Sequence, residues 1–278
     1  MKKFFLLLVA TIVTLNGCAP VRTTQSGAVG MQRKQYMMLS SKQVDNMAAQ
    51  SYLNTVKDAD KKHKLNPDQQ QTERVRTIAK RLIAQTGAFR PDALNWKWEV
   101  NVQESKELNA YCMPGGKIMV YSGLIEKLNT TDDELAAVMG HEISHALREH
   151  GRERMSEAYA QQIGILGLAV ILGATSKDKN TNAMAVETAT MVSAVALTLP
   201  HSREHEREAD RMGLELAARA GYNPHAAIDL WQKMAKAGGG KPPEFLSTHP
   251  SDSSRIQDLQ RLMPTVMPLY EEAHGKNS

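Results

Sequence analysis

The chain has 278 residues, with 34 Lys and Arg against 30 Asp and Glu, and a formal net charge of +4 at pH 7. This length is enough for one substantial domain or two small ones with a real core, and the small net charge gives no indication of nucleic-acid binding. Fifteen methionines and an aromatic content of only 5% favour a helical, adaptable interior over a sheet-rich one.

The first seventeen residues have the pattern of a bacterial signal peptide. Two lysines precede an apolar run from Phe4 to Leu15, which is short for a membrane span and typical of a signal sequence. The run leads into Leu-Asn-Gly-Cys at 15–18, which resembles a lipoprotein cleavage box with a less usual Asn. We therefore predict a signal peptide over 1–17 and lipidation of Cys18. The alternative is an ordinary signal peptide that leaves Cys18 as a free thiol.

The residue after this box predicts the address of the mature protein. Ala19 is not the aspartate that retains lipoproteins at the inner membrane, so we expect delivery to the outer membrane, facing the periplasm. Residues 18–43 are polar and irregular, which predicts a lipid-anchored tether. A main folded domain over 44–263 and a tail over 264–278 complete the predicted organisation.

Periodicity predicts a mainly α fold with a small β-sheet. Helical spacing of apolar residues indicates helices from Val44 to about Lys64 and from about Asp68 to Thr86, interrupted at Asn66-Pro67. Alternating residues then predict one strand from Trp96 to Val102 and a second from Lys117 to Tyr121.

The stretch from His141 to His145 is the most informative in the chain. Residues four apart lie on one face of a helix, so His141 and His145 would present two imidazoles to one metal ion, with Glu142 alongside. This H-E-x-x-H spacing is typical of zinc proteases, in which the glutamate acts as general base. Thr131 and Glu134 form the sequence signature of a capping box at the start of this helix.

An apolar stretch follows from Ile163 to Ala174. Twelve residues are too few to cross a bilayer, so a buried core helix is favoured, and a segment that dips into the membrane interface is the alternative. A polar loop over 176–182 and another apolar helix over 183–199 are predicted after it.

A catalytic zinc ion takes three protein ligands and keeps one position open, so a third ligand is needed. Positions 206, 209, 210, 213, 217 and 220 share one helix face, and they are small apart from Glu206 and Asp210. Such a face lets this helix lie close against the His141 helix. We predict Glu206 as the third ligand and Asp210 as an acceptor that orients a ligand histidine. A solvated charged face is predicted for positions 204, 207, 208, 211 and 215, which are all Glu or Arg.

Two of these segments carry a family resemblance. The resemblance is to the HtpX-like and CAAX-prenyl-protease-like zinc metalloendopeptidases, and it is carried by Val138–Ala146 and, about sixty residues later, by Ser202–Asp210. Within this group the chain most resembles the periplasmic lipoprotein branch that includes BepA and LoiP. Further matches lie at Asn109–Gly116, Tyr121–Ile125, Ser247–Pro250 and Arg255. The similarity covers roughly residues 70–263. It implies a zincin-like fold, one Zn²⁺ per chain and Glu206 as its third protein ligand. The repeat domain that BepA carries after its protease domain is not expected here.

The set of predicted ligands, with Glu142 beside them, implies a mechanism. Zinc would activate a water molecule, and Glu142 would take its proton and return it to the leaving amine. His249 and Arg255 are candidates for the neighbourhood of the oxyanion. In the BepA-like branch the matching histidine can occupy the open position of zinc, and His249 is predicted to do so here. An ordinary loop histidine is the alternative.

In zinc proteases of this build, an edge strand beside the metal pairs with the substrate backbone. Our candidates for that strand are the four residues Ile118, Met119, Val120 and Tyr121. Two ordinary structural strands are the alternative. His205 and His225 are predicted to be surface or cap residues, and His150 carries no functional signal.

The predicted function is zinc-dependent endopeptidase cleavage of misfolded or stalled envelope proteins. The expected partners are unfolded or misassembled envelope polypeptides, the membrane through the lipid anchor, and the outer-membrane assembly machinery. An assembly factor or holdase with a latched or mainly structural zinc site is the alternative. A non-proteolytic zinc hydrolase is the weakest reading because nothing in the sequence suggests a small-molecule pocket.

Overall fold

The computed structural model describes residues 20–171, 202–237, 244–249 and 253–275. The predicted signal peptide, Cys18, and the predicted loop and helix over 176–199 lie outside these residues. The predicted apolar helix over 163–174 begins inside a longer helix, and its last residues also lie outside. Among the described residues, no helix combines the length and apolar character needed to span a bilayer.

The described chain is mainly helical with a small sheet, as predicted. The helices are α1 Ser41–Lys61, α2 Gln69–Ile83, α3 Ser122–Leu128, α4 Asp132–Leu147, α5 His150–Ile171, α6 Arg203–Arg219, α7 Ala226–Ala237, α8 Glu244–Thr248 and α9 Ser253–Gly275. The strands are β1 Pro20–Val21, β2 Gln35–Tyr36, β3 Glu99–Gln103, β4 Ala110–Met113 and β5 Lys117–Tyr121. Helix α4 lies at the centre and packs against α2, α6, α7 and β4.

Helix α4 begins where its capping residues predict. The Thr131 hydroxyl accepts a hydrogen bond from the Glu134 amide at 3.2 Å, and the Glu134 carboxylate accepts one from the Thr131 amide at 2.9 Å. This box satisfies two amide donors that a helix start would otherwise leave unpaired. It therefore fixes the first turn of the helix that carries the metal-binding motif.

The three-stranded sheet has the order β3-β5-β4. Strand β5 pairs in parallel with β3, where Val100 faces Ile118, and antiparallel with β4, where Cys112 faces Ile118. The prediction that Ile118–Tyr121 forms an edge strand is therefore wrong, because both sides of β5 already carry ladder hydrogen bonds. The edges of the sheet are β3 and β4.

The sheet and the final helix differ from the predicted boundaries in two places. Strand β3 begins at Glu99 rather than Trp96, because a 3₁₀ turn over Pro91–Asn95 precedes it. Helix α9 continues through Pro264 to Gly275, with Val266 fully buried. The predicted division at 263/264 into domain and tail is wrong, since it falls inside one packed helix.

Residues 20–40 form an N-terminal strap on the domain rather than a free tether. Val29, Met31 and Met37 are buried, and the Gln35 side chain is completely enclosed. The Val29 amide donates to the Glu215 carboxylate of α6 at 3.0 Å. The tether prediction is therefore wrong for the described part of 18–43. The predicted solvated face of α6 is wrong at Glu215 for the same reason, because the strap covers it.

Arg33 holds the strap to the domain, and its removal should destabilise the fold. Its guanidinium donates to Glu153 at 2.6 Å and to Glu208 at 2.8 Å. Although burial opposes it, these hydrogen bonds lower the pKa of both carboxyls below the ordinary value of 4.5. A lowered carboxyl pKa stabilises the fold above about pH 4.5, and this stability is lost as pH falls through the folded-state pKa. We expect Arg33→Met to cost about 3 kcal/mol at pH 7 and to weaken the pH dependence of unfolding below pH 5.

Chemical denaturation followed by circular dichroism between pH 3 and 7 measures this difference. Arg76→Met is the matched control, since Arg76 pairs with Glu73 at 2.9 Å with both side chains exposed. That pair should contribute less than about 1 kcal/mol. Equal losses in the two variants would contradict the role of Arg33.

Candidate metal centre

Two glycines set the separation of α4 and α6. A Cβ atom on Gly213 would lie 2.7 Å from the His141 amide nitrogen, and one on Gly140 would lie 2.9 Å from the Gly213 carbonyl oxygen. The backbones are therefore in direct contact at this crossing. Because Glu206 lies two turns before Gly213 on α6, the close approach brings its carboxylate level with the histidines of α4.

The structure brings the three predicted ligands together in a buried cluster. The Nε2 atoms of His141 and His145 lie 3.1 Å apart. Glu206 Oε2 is 3.4 Å from His141 Nε2, and Glu206 Oε1 is 3.4 Å from His145 Nε2. With His249, these residues offer four donor atoms within 4.8 Å of one another.

The donor set fits a zinc ion. His141 Nδ1 lies 3.0 Å from Asp210 Oδ1, and a carboxylate can only accept, so the proton of a neutral His141 is held on Nδ1. The Nε2 lone pair of His141 then faces the cluster. Two such imidazole lone pairs and a carboxylate, buried at this spacing, repel one another unless a cation lies between them. Two imidazoles and a carboxylate also form a donor set that zinc prefers.

Asp210 and Arg255 form hydrogen bonds and ion pairs with the ligand residues of the cluster. The Arg255 guanidinium donates to Asp210 Oδ2 at 2.6 Å and to Asp210 Oδ1 at 2.7 Å, and its Nη1 lies 2.9 Å from Glu206 Oε2. Although burial opposes it, Arg255 and His141 lower the pKa of Asp210, which keeps this carboxylate charged. Because two carboxylates engage its guanidinium, Arg255 is better placed to position them than to contact an oxyanion.

Glu142 and His249 lie beside the same cluster. Both side chains are buried, and His249 Nε2 is 3.5 Å from Glu142 Oε1. His249 Nδ1 is 3.0 Å from Glu206 Oε1, and its ring stacks on Phe245 with centroids 4.4 Å apart. Burial raises the pKa of Glu142, which makes it a stronger proton acceptor than a solvated glutamate.

A groove of about 390 Å³ opens onto the cluster. Edge strand β4 lines it on one side, and α1 contributes Val44 and Met47. Glu142, His145 and His249 lie at its base. The groove therefore lies between an edge strand of the sheet and the candidate catalytic residues.

The sequence did not indicate that three residues near the centre, His150, His205 and Glu208, are buried. His205 and Glu208 are buried and His150 is fully enclosed, so the predictions of a surface position for His205 and a solvated one for Glu208 are wrong. The alternative assignment of His205 as a cap residue agrees with its amide, which donates to the Ser202 hydroxyl at the start of α6 at 3.1 Å. Glu149 adopts a left-handed conformation with φ of 53° between α4 and α5. This turn directs His150 back toward His145. The left-handed residue is a glutamate and not a glycine, so its residue type does not indicate this conformation.

Comparisons with known proteins agree with this centre. Peptidase family M48 matches residues 69–263. The chain is 36% identical over 180 residues to the mitochondrial metalloendopeptidase OMA1 of Arabidopsis thaliana, which covers 64% of this chain and 34% of that protein. It is 34% identical over 192 residues to OMA1 of Schizosaccharomyces pombe, which covers 68% and 52%.

A bacterial relative is also similar. The beta-barrel assembly-enhancing protease of Yersinia pestis is 29% identical over 203 residues, which covers 71% of this chain and 40% of that protein. The chain thus spans about a third to a half of the length of these relatives. The matched range includes both histidines of α4, Glu206 and strand β4, whereas α1, which also lines the groove, precedes that range. The chain therefore belongs to peptidase family M48 of zinc-dependent metalloendopeptidases.

Proposed function

We propose that this chain cleaves peptide bonds within misfolded or stalled polypeptides of the bacterial envelope. The observation that carries this proposal is the convergence of His141, His145 and Glu206, with Glu142 beside them at the base of a groove. Two imidazoles, a carboxylate and a neighbouring glutamate form the side-chain set that metal-assisted hydrolysis of a peptide bond uses.

Each residue of the centre has a distinct part in this chemistry. Zinc held by His141, His145 and Glu206 would lower the pKa of a water molecule and polarise the peptide carbonyl. Glu142 accepts the proton of that water and passes it to the leaving amine. Asp210 keeps the His141 ring in the orientation that ligation requires.

Strand β4 is the surface we propose for the substrate backbone. It is an edge of the sheet and it lines the groove beside Glu142. This assigns to Ala110–Met113 the role first considered for Ile118–Tyr121. Pairing through main-chain hydrogen bonds depends little on side-chain identity and requires an extended partner, so it favours unfolded polypeptides over folded ones.

The envelope location rests on the N-terminal sequence. We propose signal-peptide cleavage, lipidation of Cys18 and attachment to the periplasmic face of the outer membrane, within the BepA- and LoiP-like branch. The beta-barrel assembly-enhancing protease is among the relatives, which supports a role beside outer-membrane assembly. The mitochondrial relative is more similar, at 36% identity against 29% for the bacterial one, so the compartment is proposed from the N-terminal sequence and not from the family match.

Digestion of casein by the full-length protein tests the proposed activity. We expect internal cleavage of casein, no cleavage of native ribonuclease, loss of activity with 1,10-phenanthroline and recovery with added zinc. Mass spectrometry of the first products distinguishes internal cleavage from trimming of the ends. Absence of zinc-dependent cleavage by both the wild type and the His249 variant described next would contradict the proposal.

We propose that His249 restrains this activity by occupying the open coordination position. Its donor atom lies within the 4.8 Å group formed with the three ligands. We expect His249→Ala to raise basal casein cleavage several-fold, because the fraction of open enzyme increases. His225→Ala is the control, since His225 is exposed at the start of α7. Unchanged or reduced cleavage by His249→Ala would contradict the restraint.

The same four-donor group favours a second candidate function. A zinc ion closed by four protein ligands is structural, and the chain would then act as an assembly factor or holdase. In that case neither the wild type nor His249→Ala cleaves casein, while both bind zinc and suppress aggregation of an unfolded outer-membrane protein.

A further inference from the structure

A chain of buried polar contacts runs outward from His145, away from the metal cluster. His145 Nδ1 lies 2.9 Å from His150 Nδ1, and His150 Nε2 lies 2.9 Å from Glu208 Oε2. The other oxygen of Glu208 accepts from Arg148 Nη2 at 2.7 Å. The His150 side chain is completely buried. No step of the proposed hydrolysis uses these contacts.

The geometry fixes where each proton lies. If His145 binds zinc through Nε2, its proton is on Nδ1, which then donates to His150 Nδ1. His150 must accept at Nδ1 and therefore carries its own proton on Nε2. That proton is donated to the Glu208 carboxylate, which can only accept. The direction of every hydrogen bond in the chain is thus determined by ligation at one end and by a carboxylate at the other.

We propose that His150 is a positioning residue that sets the tautomer and ring orientation of His145 for zinc, with Glu208 as its support. This inference rests on the proposed zinc site. The two ligand histidines are then oriented in different ways. The Asp210 carboxylate contacts His141 directly, whereas the His150 imidazole lies between His145 and the Glu208 carboxylate. Partners of this kind change metal affinity although they do not touch the metal.

The alternative of a second metal ion fails on charge and on hydrogen bonding. His150, Glu153 and His205 lie close enough to share an ion. Arg33, however, already donates to both oxygens of Glu153, at 2.6 and 2.8 Å. Arg148 bonds Glu208 on the other side of His150, so two guanidinium charges flank the position a second cation would take. These residues therefore serve the zinc centre and the strap rather than a further ion.

Two amide substitutions at position 150 separate positioning from general destabilisation. In His150→Asn, the side-chain oxygen can replace Nδ1 and accept from His145, but the bond to Glu208 is lost. In His150→Gln, the terminal amide can replace Nε2 and donate to Glu208, but the acceptor for His145 is lost. Zinc dissociation constants of the full-length chains, measured by competition with a chromophoric chelator, compare the two. Visible spectra of the cobalt-loaded proteins report the ligand geometry independently of activity.

We expect His150→Gln to bind zinc about tenfold or more weakly with a shifted cobalt spectrum, and His150→Asn to stay within about threefold of the wild type. Equal affinities for the two variants, or wild-type affinity for His150→Gln, would overturn the inference while leaving the proposed function intact. A wild-type chain that binds no zinc would overturn both. Melting curves of the zinc-free proteins show whether each variant is folded. Should His150→Gln not fold, Glu208→Gln is expected to weaken zinc binding at least about threefold, and unchanged affinity would overturn the inference.

Discussion

Replacing Glu142 with Gln is expected to lower kcat for peptide hydrolysis by about 10²- to 10⁴-fold and to leave zinc affinity within about twofold of the wild type. The amide has nearly the same shape as the carboxylate, but it cannot accept the proton of the attacking water. Glu142 does not belong to the group of four donors that face one another. The substitution should therefore lower the rate of peptide hydrolysis without weakening the binding of zinc.

A fluorogenic peptide assay and a chelator competition measurement on the same preparations separate these two effects. Glu73→Gln makes the same chemical change at an exposed position on α2 and should leave both quantities unchanged. Equal casein digestion by the wild type and Glu142→Gln would remove the proposed general base. A parallel loss of zinc from Glu142→Gln would show that Glu142 is a ligand instead.

Gly213→Ala should weaken zinc binding, although Gly213 is not one of the ligands. The added Cβ would lie 2.7 Å from the His141 nitrogen and 2.9 Å from the Gly140 carbonyl carbon, and both atoms belong to backbone that cannot rotate away. Helices α4 and α6 must therefore separate by several tenths of an ångström. Metal ligands tolerate displacements of about 0.2 Å, so we expect zinc affinity to fall about tenfold or more. Overpacking should also destabilise the fold by about 1–3 kcal/mol.

Gly151→Ala is the matched control for this effect. Gly151 also lies on a helix near the groove, but its added Cβ would meet only a Pro114 carbon at 3.8 Å, an ordinary contact. Zinc affinity and stability should stay within about twofold and 1 kcal/mol of the wild type. Wild-type affinity in Gly213→Ala would show that the helix crossing does not determine the ligand geometry.

The elements of the centre could be predicted because their signals are local. The capping residues Thr131 and Glu134 mark the start of α4, and the spacing of its histidines places them on one face. The small-residue face of α6 indicated a close helix crossing, and the structure places Glu206 beside His141 and His145. These features can be inferred from helical periodicity and side-chain size alone.

The remaining features depend on contacts between distant segments. Nothing in the residues of β5 shows that it lies between β3 and β4, because strand order is set by pairing and not by composition. The strap contributes only a few apolar residues in a polar sequence, which is the composition of a linker. Glu208 was assigned to solvent because its partners Arg33 and Arg148 lie 175 and 60 residues away.

With Cys18 lipidated as proposed, the early start of the strap would limit the distance between the enzyme and the membrane. Strand β1 begins at Pro20, two residues after Cys18, so an acyl chain on that cysteine would leave at most about 7 Å of slack. The catalytic groove would then remain within one molecular diameter of the leaflet. Polypeptides free in the periplasmic space would be cut only after diffusing to the membrane, and those emerging at its surface would meet the enzyme first.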